Sequence, residues 1–139
     1  MKFRILMILS FVYYSCTLLA NDISGDWVSS KKDLKVRVYK VGNTYEAKVL
    51  WMPKEEDGSP PKDSDNPDPK LRNRSMIGLR VLWGMVYNKE THEYEHGTAY
   101  VHGREFCGKA KLNPDGTLKV TGYVCVLKFL KKSETFIRI

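Results

Sequence analysis

The chain has 139 residues, a formal net charge of +7, 12% aromatic residues and three cysteines. This length suits one domain with its own hydrophobic core. The basic residues are scattered, and many alternate with apolar residues. The charge therefore indicates a solvated surface and argues against a nucleic-acid-binding stripe.

The N-terminus has the pattern of a secretory signal peptide. Lys2 and Arg4 precede an uncharged, largely apolar run, and the small residue Ala20 ends it before a polar pair. Serine, threonine and tyrosine residues interrupt this run, whereas a membrane-spanning helix needs roughly 20 mostly apolar residues. Cleavage is therefore favoured over a membrane anchor.

Cleavage would define the mature protein. Lipid attachment at Cys16 is a further alternative, although the preceding Tyr-Tyr-Ser sequence is untypical of a lipidated cysteine. We predict that residues 1–20 are a signal peptide and that residues 21–139 form one domain. Removing the first segment takes away two basic and no acidic residues, which leaves a charge of +5. The expected location is the periplasm or the cell exterior.

A β-hairpin is predicted around Gly42-Asn43, a dipeptide typical of two-residue hairpin turns. Pairing Val41 with Thr44 across the turn puts the apolar residues of both segments on one face and the charged residues on the other. The apolar pairs expected from this register are Val38 with Ala47, Val36 with Val49, and Leu34 with Trp51.

The rest of the chain continues the two-residue period of β-strands. In the next segment, Ile77, Leu79, Val81 and Trp83 alternate with the other residues, and two glycines indicate bulges or a bent corner. Further alternating segments follow up to the C-terminus. The pattern predicts about eight or nine short strands without a long amphipathic helix, which is typical of an antiparallel sandwich or barrel.

Two cysteines, Cys107 and Cys125, remain in the predicted mature chain. They fall on the same face of two strands joined by the turn 113–116, so a disulfide is expected in an oxidising compartment. The simplest register sets Cys107 opposite Tyr123, and a bridge therefore needs a two-residue shift or a bulge. Two free thiols are the alternative.

A proline-rich loop, residues 53–75, breaks the strand pattern. Asp68-Pro69 can begin a short helix, with the aspartate as N-cap and the proline at the first helical position. A loop of this length is typically a functional lid or disordered, and we favour a lid. Asp63, Asn66 and Arg74 can form a polar cluster at the barrel mouth, although Asp and Asn before proline also make ordinary turns.

The loop resembles the signature of domain-of-unknown-function family 2147, a group of small exported bacterial proteins. The resemblance rests on Asp63-x-x-Asn66-Pro67-Asp68-Pro69, Leu71-Arg72-x-Arg74 and Ile77-Gly78-Leu79, together with Gly25-x-Trp27, Val36-x-Val38-Tyr39, Gly116-Thr117-Leu118-Lys119-Val120-x-Gly122-Tyr123 and Glu134-Thr135-Phe136-x-Arg138. It covers nearly all of residues 21–139. It implies a calycin-like barrel, similar to lipocalins and fatty-acid-binding proteins, and no particular activity.

A barrel of about eight strands can enclose one small ligand. The aromatic residues expected to face the interior are Tyr45, Trp51, Trp83, Tyr100 and Phe106. Such residues can line a ligand pocket, or they can pack a closed core. Both interpretations are open at this level.

Catalytic and metal sites have little support in the sequence. The histidines are His92, His96 and His102, and their spacing on a turn and strand does not suit chelation of one ion. The acidic residues Asp63, Asp65 and Asp68 leave a glycoside-type hydrolase conceivable, but no nucleophile elbow or phosphate loop occurs. We expect no enzyme activity, metal or cofactor.

These patterns predict an exported binding protein that holds a small hydrophobic or amphipathic ligand, such as a fatty acid, inside its barrel. The alternative is a structural or interaction module of the cell envelope. In that case the basic outer face would contact an anionic lipid surface or a protein partner.

Overall fold

The computed structural model describes residues 22–139, so the predicted signal peptide lies outside the described residues. Within this range, no helix has the length and apolar character needed to cross a membrane.

Eight antiparallel strands form a closed barrel, in which each strand pairs with the next and the last pairs with the first. The strands are β1 (Gly25–Ser29), β2 (Lys35–Val41), β3 (Thr44–Trp51), β4 (Arg80–Asn88), β5 (Glu93–Val101), β6 (Arg104–Leu112), β7 (Leu118–Val124) and β8 (Leu127–Arg138). Closure leaves no unpaired strand edge in the barrel. This architecture confirms the predicted all-β calycin-like fold.

The two ends of the barrel differ in their connections. At the end that we call the closed end, short turns join β2 to β3, β4 to β5 and β6 to β7. Ile23, two residues before β1, is fully buried there, and its carbonyl accepts a hydrogen bond of 2.9 Å from the indole nitrogen of Trp27. At the end that we call the open end lie the other four connections, including the proline-rich loop between β3 and β4.

The predicted β2–β3 hairpin is confirmed except at its last pair. Val41 pairs with Thr44, and the next two apolar pairs also form as expected. A register shift then places Trp51 opposite Lys35 rather than Leu34. Since directly paired residues share a face and Lys35 lies outside the barrel, the shift carries Trp51 to the outer face.

The face predicted for β4 is wrong. Leu82 and Met85 lie in the core, whereas the sequence pattern favoured the positions in phase with Trp83. Register shifts interrupt the β3–β4 pairing on both sides of Ala47, and Gly84 has a φ of 75°. A bulge of this kind lets two inward residues lie three positions apart, which simple alternation cannot reproduce.

The disulfide between Cys107 and Cys125 is formed. Cys107 does pair with Tyr123, as the simplest register predicted. Cys125 follows in the turn after β7, beside a register shift in the β7–β8 pairing, and its Cα lies 5.2 Å from that of Cys107. The bridge therefore ties the turn between β7 and β8 to the neighbouring strand β6.

The proline-rich loop contains one short turn of 3-10 helix, Pro69–Leu71. Asp68 caps it, because its carboxylate accepts a hydrogen bond from the backbone nitrogen of Lys70. An isolated bridge between Lys62 and Ser75 holds the two ends of the loop's second half together. The predicted short helix is thus present as a single turn.

Candidate functional site

The proline-rich loop is fixed to the barrel by a cluster around the buried carboxylate of Asp63. One carboxylate oxygen, Oδ2, accepts hydrogen bonds from Tyr100 Oη at 2.6 Å, Arg74 Nε at 2.8 Å and Asn66 Nδ2 at 2.9 Å. The Arg74 guanidinium also lies over the Tyr100 ring, 5.6 Å from its centroid. The structure therefore brings Asp63, Asn66 and Arg74 together, whereas Asp68 caps the 3-10 turn instead.

The electrostatics of this cluster favour the ionised carboxylate. Burial by itself would raise the pKa of Asp63. Hydrogen bonds from Asn66, Tyr100 and Arg74, together with the positive charge of Arg74, outweigh burial and lower that pKa below its ordinary value of 3.8. The cluster is a structural anchor whose charge is compensated by its own members.

The same loop also contacts the turn between β5 and β6. Gly103 in this turn lies so close to the loop that an added Cβ would overlap the backbone carbonyl of Asp65. Next to it, His102 Nδ1 lies 3.1 Å from Asp65 Oδ2. The loop therefore sits against the barrel wall at the open end.

The five aromatic residues predicted to face the interior divide into two groups. Tyr45 is buried in the core, and Phe106 shares the inner face with its pair partner Ala99. Tyr100 alternates with the buried Ala99 and points outward to Asp63, which corrects the predicted position. Trp83 also faces outward. It pairs with Thr98, and the adjacent pair, Leu82 with Ala99, lies in the core. Trp51 joins the outer group through the register shift, with the Lys35 ammonium 5.5 Å from its ring centroid.

Other aromatic residues fill the closed half of the interior. Tyr94 makes an edge-to-face contact with Tyr45, and Tyr87 packs on it at an equal centroid distance of 5.1 Å. Trp27 and Phe136 complete this group. Burial raises the pKa of Tyr94, whose hydroxyl has no hydrogen-bond partner among the described residues. The position of Trp27 in the Gly-x-Trp motif could have indicated its place in the core.

The interior is more open toward the open end. There the inner face carries Phe106, Val120, Gly122 and Glu134, which remain partly exposed, and the exposed Lys132, which pairs directly with Gly122. A Cβ added to Gly122 would meet no heavy atom within 4 Å, whereas one added to its pair partner Gly108 would touch Leu82 at 3.0 Å. The interior therefore has space in front of Gly122 on β7, whereas the space in front of Gly108 on β6 is filled.

Glu134 is the carboxylate on this part of the inner face. Its pair partner Val120 packs against the core, so its side chain enters the barrel. Burial, and then the negative charge of Asp33, raise the pKa of Glu134, while Lys31 and Lys132 partly oppose the shift. The carboxylate is a polar group that an interior ligand could contact.

Two pockets lie on the outer surface rather than inside. The first, of about 360 Å³, is lined by the β4–β5 turn region from Val86 to Glu90 together with Glu95 and His96. The second, of about 130 Å³, lies among lysines of β6, β7 and β8. Within residues 22–139, no group of three or more potential metal ligands occurs.

Comparisons with known proteins agree with this geometry. A family model described as an uncharacterized protein conserved in bacteria (DUF2147) matches residues 25–138. No curated protein matches the chain. Among solved structures, protein HP1028 from the human pathogen Helicobacter pylori, described as belonging to the lipocalin family, is similar with a TM-score of 0.69 and 25% sequence identity over 85% of this chain and 83% of that one. The chain therefore belongs to the DUF2147 family and has a lipocalin-like fold.

Proposed function

We propose that this protein is an exported, non-enzymatic binding protein that holds a small hydrophobic or amphipathic ligand in the open half of its barrel. The observation that carries the proposal is the unfilled space in front of Gly122 on the inner face of a lipocalin-like barrel. Export is supported by the disulfide, since such bonds persist mainly in oxidising compartments.

The inner surface of this half suits an amphipathic molecule. Phe106 and Val120 supply apolar contact area, while Glu134 supplies a polar group beside them. Burying apolar ligand surface contributes about 25 cal/mol per Å², so a fatty-acid-sized chain can reach micromolar affinity without special chemistry. Tyr45 and Tyr94 lie deeper and would form the floor of this pocket.

The test is a substitution at a pocket-lining residue whose larger side chain fills the proposed pocket. We expect Gly122→Leu to weaken binding of a fluorescent long-chain fatty acid by about tenfold or more, because the added side chain occupies the ligand's space. Lys119→Leu is the matched control, since it adds the same side chain to the outer face of the same strand. Fluorescence titration measures both affinities, and circular dichroism verifies folding.

A complementary measurement asks what the protein carries. Protein purified without detergent from its native host is denatured, and released molecules are identified by mass spectrometry. An amphipathic molecule released from the wild type and depleted in Gly122→Leu supports the proposal. Equal probe binding by the wild type and a folded Gly122→Leu variant would place the ligand elsewhere.

A further inference from the structure

The turn between β7 and β8 and the first residues of β8 carry four exposed apolar side chains, including the two most exposed large apolar residues of the described chain. We call residues 126–130 the hairpin tip. Val126 is 87% exposed, Phe129 75%, Leu130 50% and Leu127 43%. Contiguous exposed apolar side chains of this kind typically mark an interaction site, because leaving them in water is unfavourable.

Positive charge surrounds these apolar residues. Lys128 lies within the hairpin tip, Lys131 and Lys132 follow it directly, and no acidic residue occurs between positions 123 and 133. The β1–β2 loop adds Lys31 and Lys32, and it lies beside β8 because the Ser30 nitrogen donates a 2.9 Å hydrogen bond to the Thr135 carbonyl. The combination of apolar tip and basic surround matches the interface of an anionic bilayer.

The nearby carboxylates do not cancel this arrangement. Glu134 enters the barrel interior beside Val120. Asp33 is held by Ser29, whose hydroxyl donates a hydrogen bond of 2.7 Å to its carboxylate. Asp33 and Glu105, which is two residues from the bridged Cys107, are exposed, but the surrounding lysines outnumber them, so the net charge next to the apolar side chains is positive.

The base of the hairpin tip is fixed. Cys125 immediately precedes Val126 and is bonded to Cys107 of β6, while β7 and β8 pair below the tip. The apolar residues are thus presented on a hairpin that does not need to order itself on binding, which lowers the entropic penalty of docking. Residues 126–130 line neither of the two pockets described above. A projecting turn suits a bilayer better than it suits a peptide.

We propose that the hairpin tip docks this protein on an anionic lipid bilayer, with Val126, Leu127, Phe129 and Leu130 entering the interfacial region and the neighbouring lysines contacting lipid phosphates. This docking does not require the proposed interior ligand. It would, however, turn the open end of the barrel toward the membrane.

Vesicle binding tests the proposal directly. The full chain is expressed, its processed N-terminus is determined by mass spectrometry, and every variant is compared in the same form. Sedimentation is measured with vesicles of phosphatidylcholine alone and of phosphatidylcholine with phosphatidylglycerol. We expect binding to the anionic vesicles that weakens with added salt.

Two sets of variants assign this binding to the hairpin tip. The double substitution Val126→Ser and Phe129→Ser should lower the partition coefficient about tenfold or more. Lys128→Gln with Lys131→Gln should lower it by a similar factor on anionic vesicles only. The matched controls, Val41→Ser with Ile139→Ser and Lys40→Gln with Lys89→Gln, change exposed residues at the closed end and should leave it unchanged.

A gain-of-signal variant keeps the test independent of folding losses. In Phe129→Trp, the new indole should shift its emission to shorter wavelength and be quenched by brominated lipids, beyond the change seen in the wild type. Three results would each overturn the proposal. They are an unquenched signal from the new indole, equal losses of binding in the closed-end controls, and absence of binding to anionic vesicles at low salt. Binding of the tip to an envelope protein with no affinity for vesicles would also overturn it.

Discussion

At the scale of single residues, Asp63 fixes the proline-rich loop to the barrel through three side-chain hydrogen bonds. Its carboxylate is buried, and it compensates Arg74 while accepting hydrogen bonds from Tyr100 and Asn66. Because its pKa is lowered in the folded state, its stabilising contribution is fully present above the ordinary value of 3.8 and is lost as pH falls through the lowered pKa. Asp63→Asn should therefore lower the free energy of unfolding by about 1–3 kcal/mol at pH 7.

The pH dependence separates this charge effect from a simple packing defect. The difference in melting temperature between wild type and Asp63→Asn should begin to shrink as pH falls below the ordinary value of 3.8 and should reach its minimum below the lowered pKa of Asp63, where both folded chains carry an uncharged group at this position. Glu56→Gln, which changes an exposed carboxylate of the same loop, is the control and should change stability little at any pH. A pH-independent difference for Asp63→Asn would contradict the assignment of the charge to the anchor.

Glu134 should respond in the opposite direction. Burial raises its pKa, so the folded state binds this proton more tightly than the unfolded chain, and stability falls as pH rises above the ordinary value of 4.5. Glu134→Gln should therefore stabilise the protein more at pH 7 than at pH 4, as measured by melting temperature. The exposed Glu105→Gln serves as the control. A constant difference across this range would show that the Glu134 carboxylate is not held at an energetic cost.

At the scale of elements, the disulfide should stabilise the barrel and immobilise the hairpin tip. It closes a loop with a sequence separation of 18 residues, and a loop of that length corresponds to about 3 kcal/mol in the chain-entropy model. Replacing both Cys107 and Cys125 by alanine should lower the free energy of unfolding by about this amount, as measured by chemical denaturation. Amide hydrogen exchange in residues 124–130 should increase more than in the β2–β3 hairpin.

The control for that prediction is chemical reduction. A reducing agent should destabilise the wild type to the level of the double alanine variant and leave the variant itself unchanged. Equal stability of oxidised and reduced wild-type protein would show that β6 and the β7–β8 turn hold together without the bond.

The elements also show where sequence reasoning succeeds. Turn chemistry at Gly42-Asn43 and strict alternation predicted the β2–β3 register nearly to its end, and the same logic placed Cys107 opposite Tyr123. The predictions for Trp51 and Trp83 failed at register shifts. A bulge moves a side chain to the other face at the position where one residue is inserted, and alternation alone does not reveal that position.

The Asp63 anchor could be predicted only in part. The local motif indicated that Asp63, Asn66 and Arg74 belong together, because they lie within a short, turn-rich segment. Tyr100, however, reaches the cluster from β5, 37 residues along the chain from Asp63. Its outward orientation depends on the phase of β5, and the β5–β6 pairing has a register shift between Tyr94 and Gly97, where His96 has a φ of 63°.

At the scale of the whole molecule, the closed sheet surrounds one interior whose two halves differ: the closed half is packed, and the open half is partly exposed. The β1–β8 pairing that closes it joins the two ends of the described chain, so no local pattern could predict how far the interior is filled. Phe136 lies in the closed half and is 5% exposed, whereas Phe106 shares the inner face but remains partly exposed. We therefore expect Phe136 to stabilise the packed core and Phe106 to contact the ligand.

Paired substitutions at these phenylalanines test that division. Phe136→Ala should lower the free energy of unfolding by about 3–5 kcal/mol, and Phe106→Ala by about 1 kcal/mol, because only the first leaves a cavity in a packed core. Natural domains typically have a total stability of about 5–15 kcal/mol, so Phe136→Ala can unfold the protein. Fatty-acid binding is therefore compared between the milder variants, which carry leucine at either position. Phe106→Leu should weaken the probe and Phe136→Leu should not. Equal losses of stability, with no change in binding for either leucine variant, would mean that the interior is packed throughout and that any ligand binds outside the barrel.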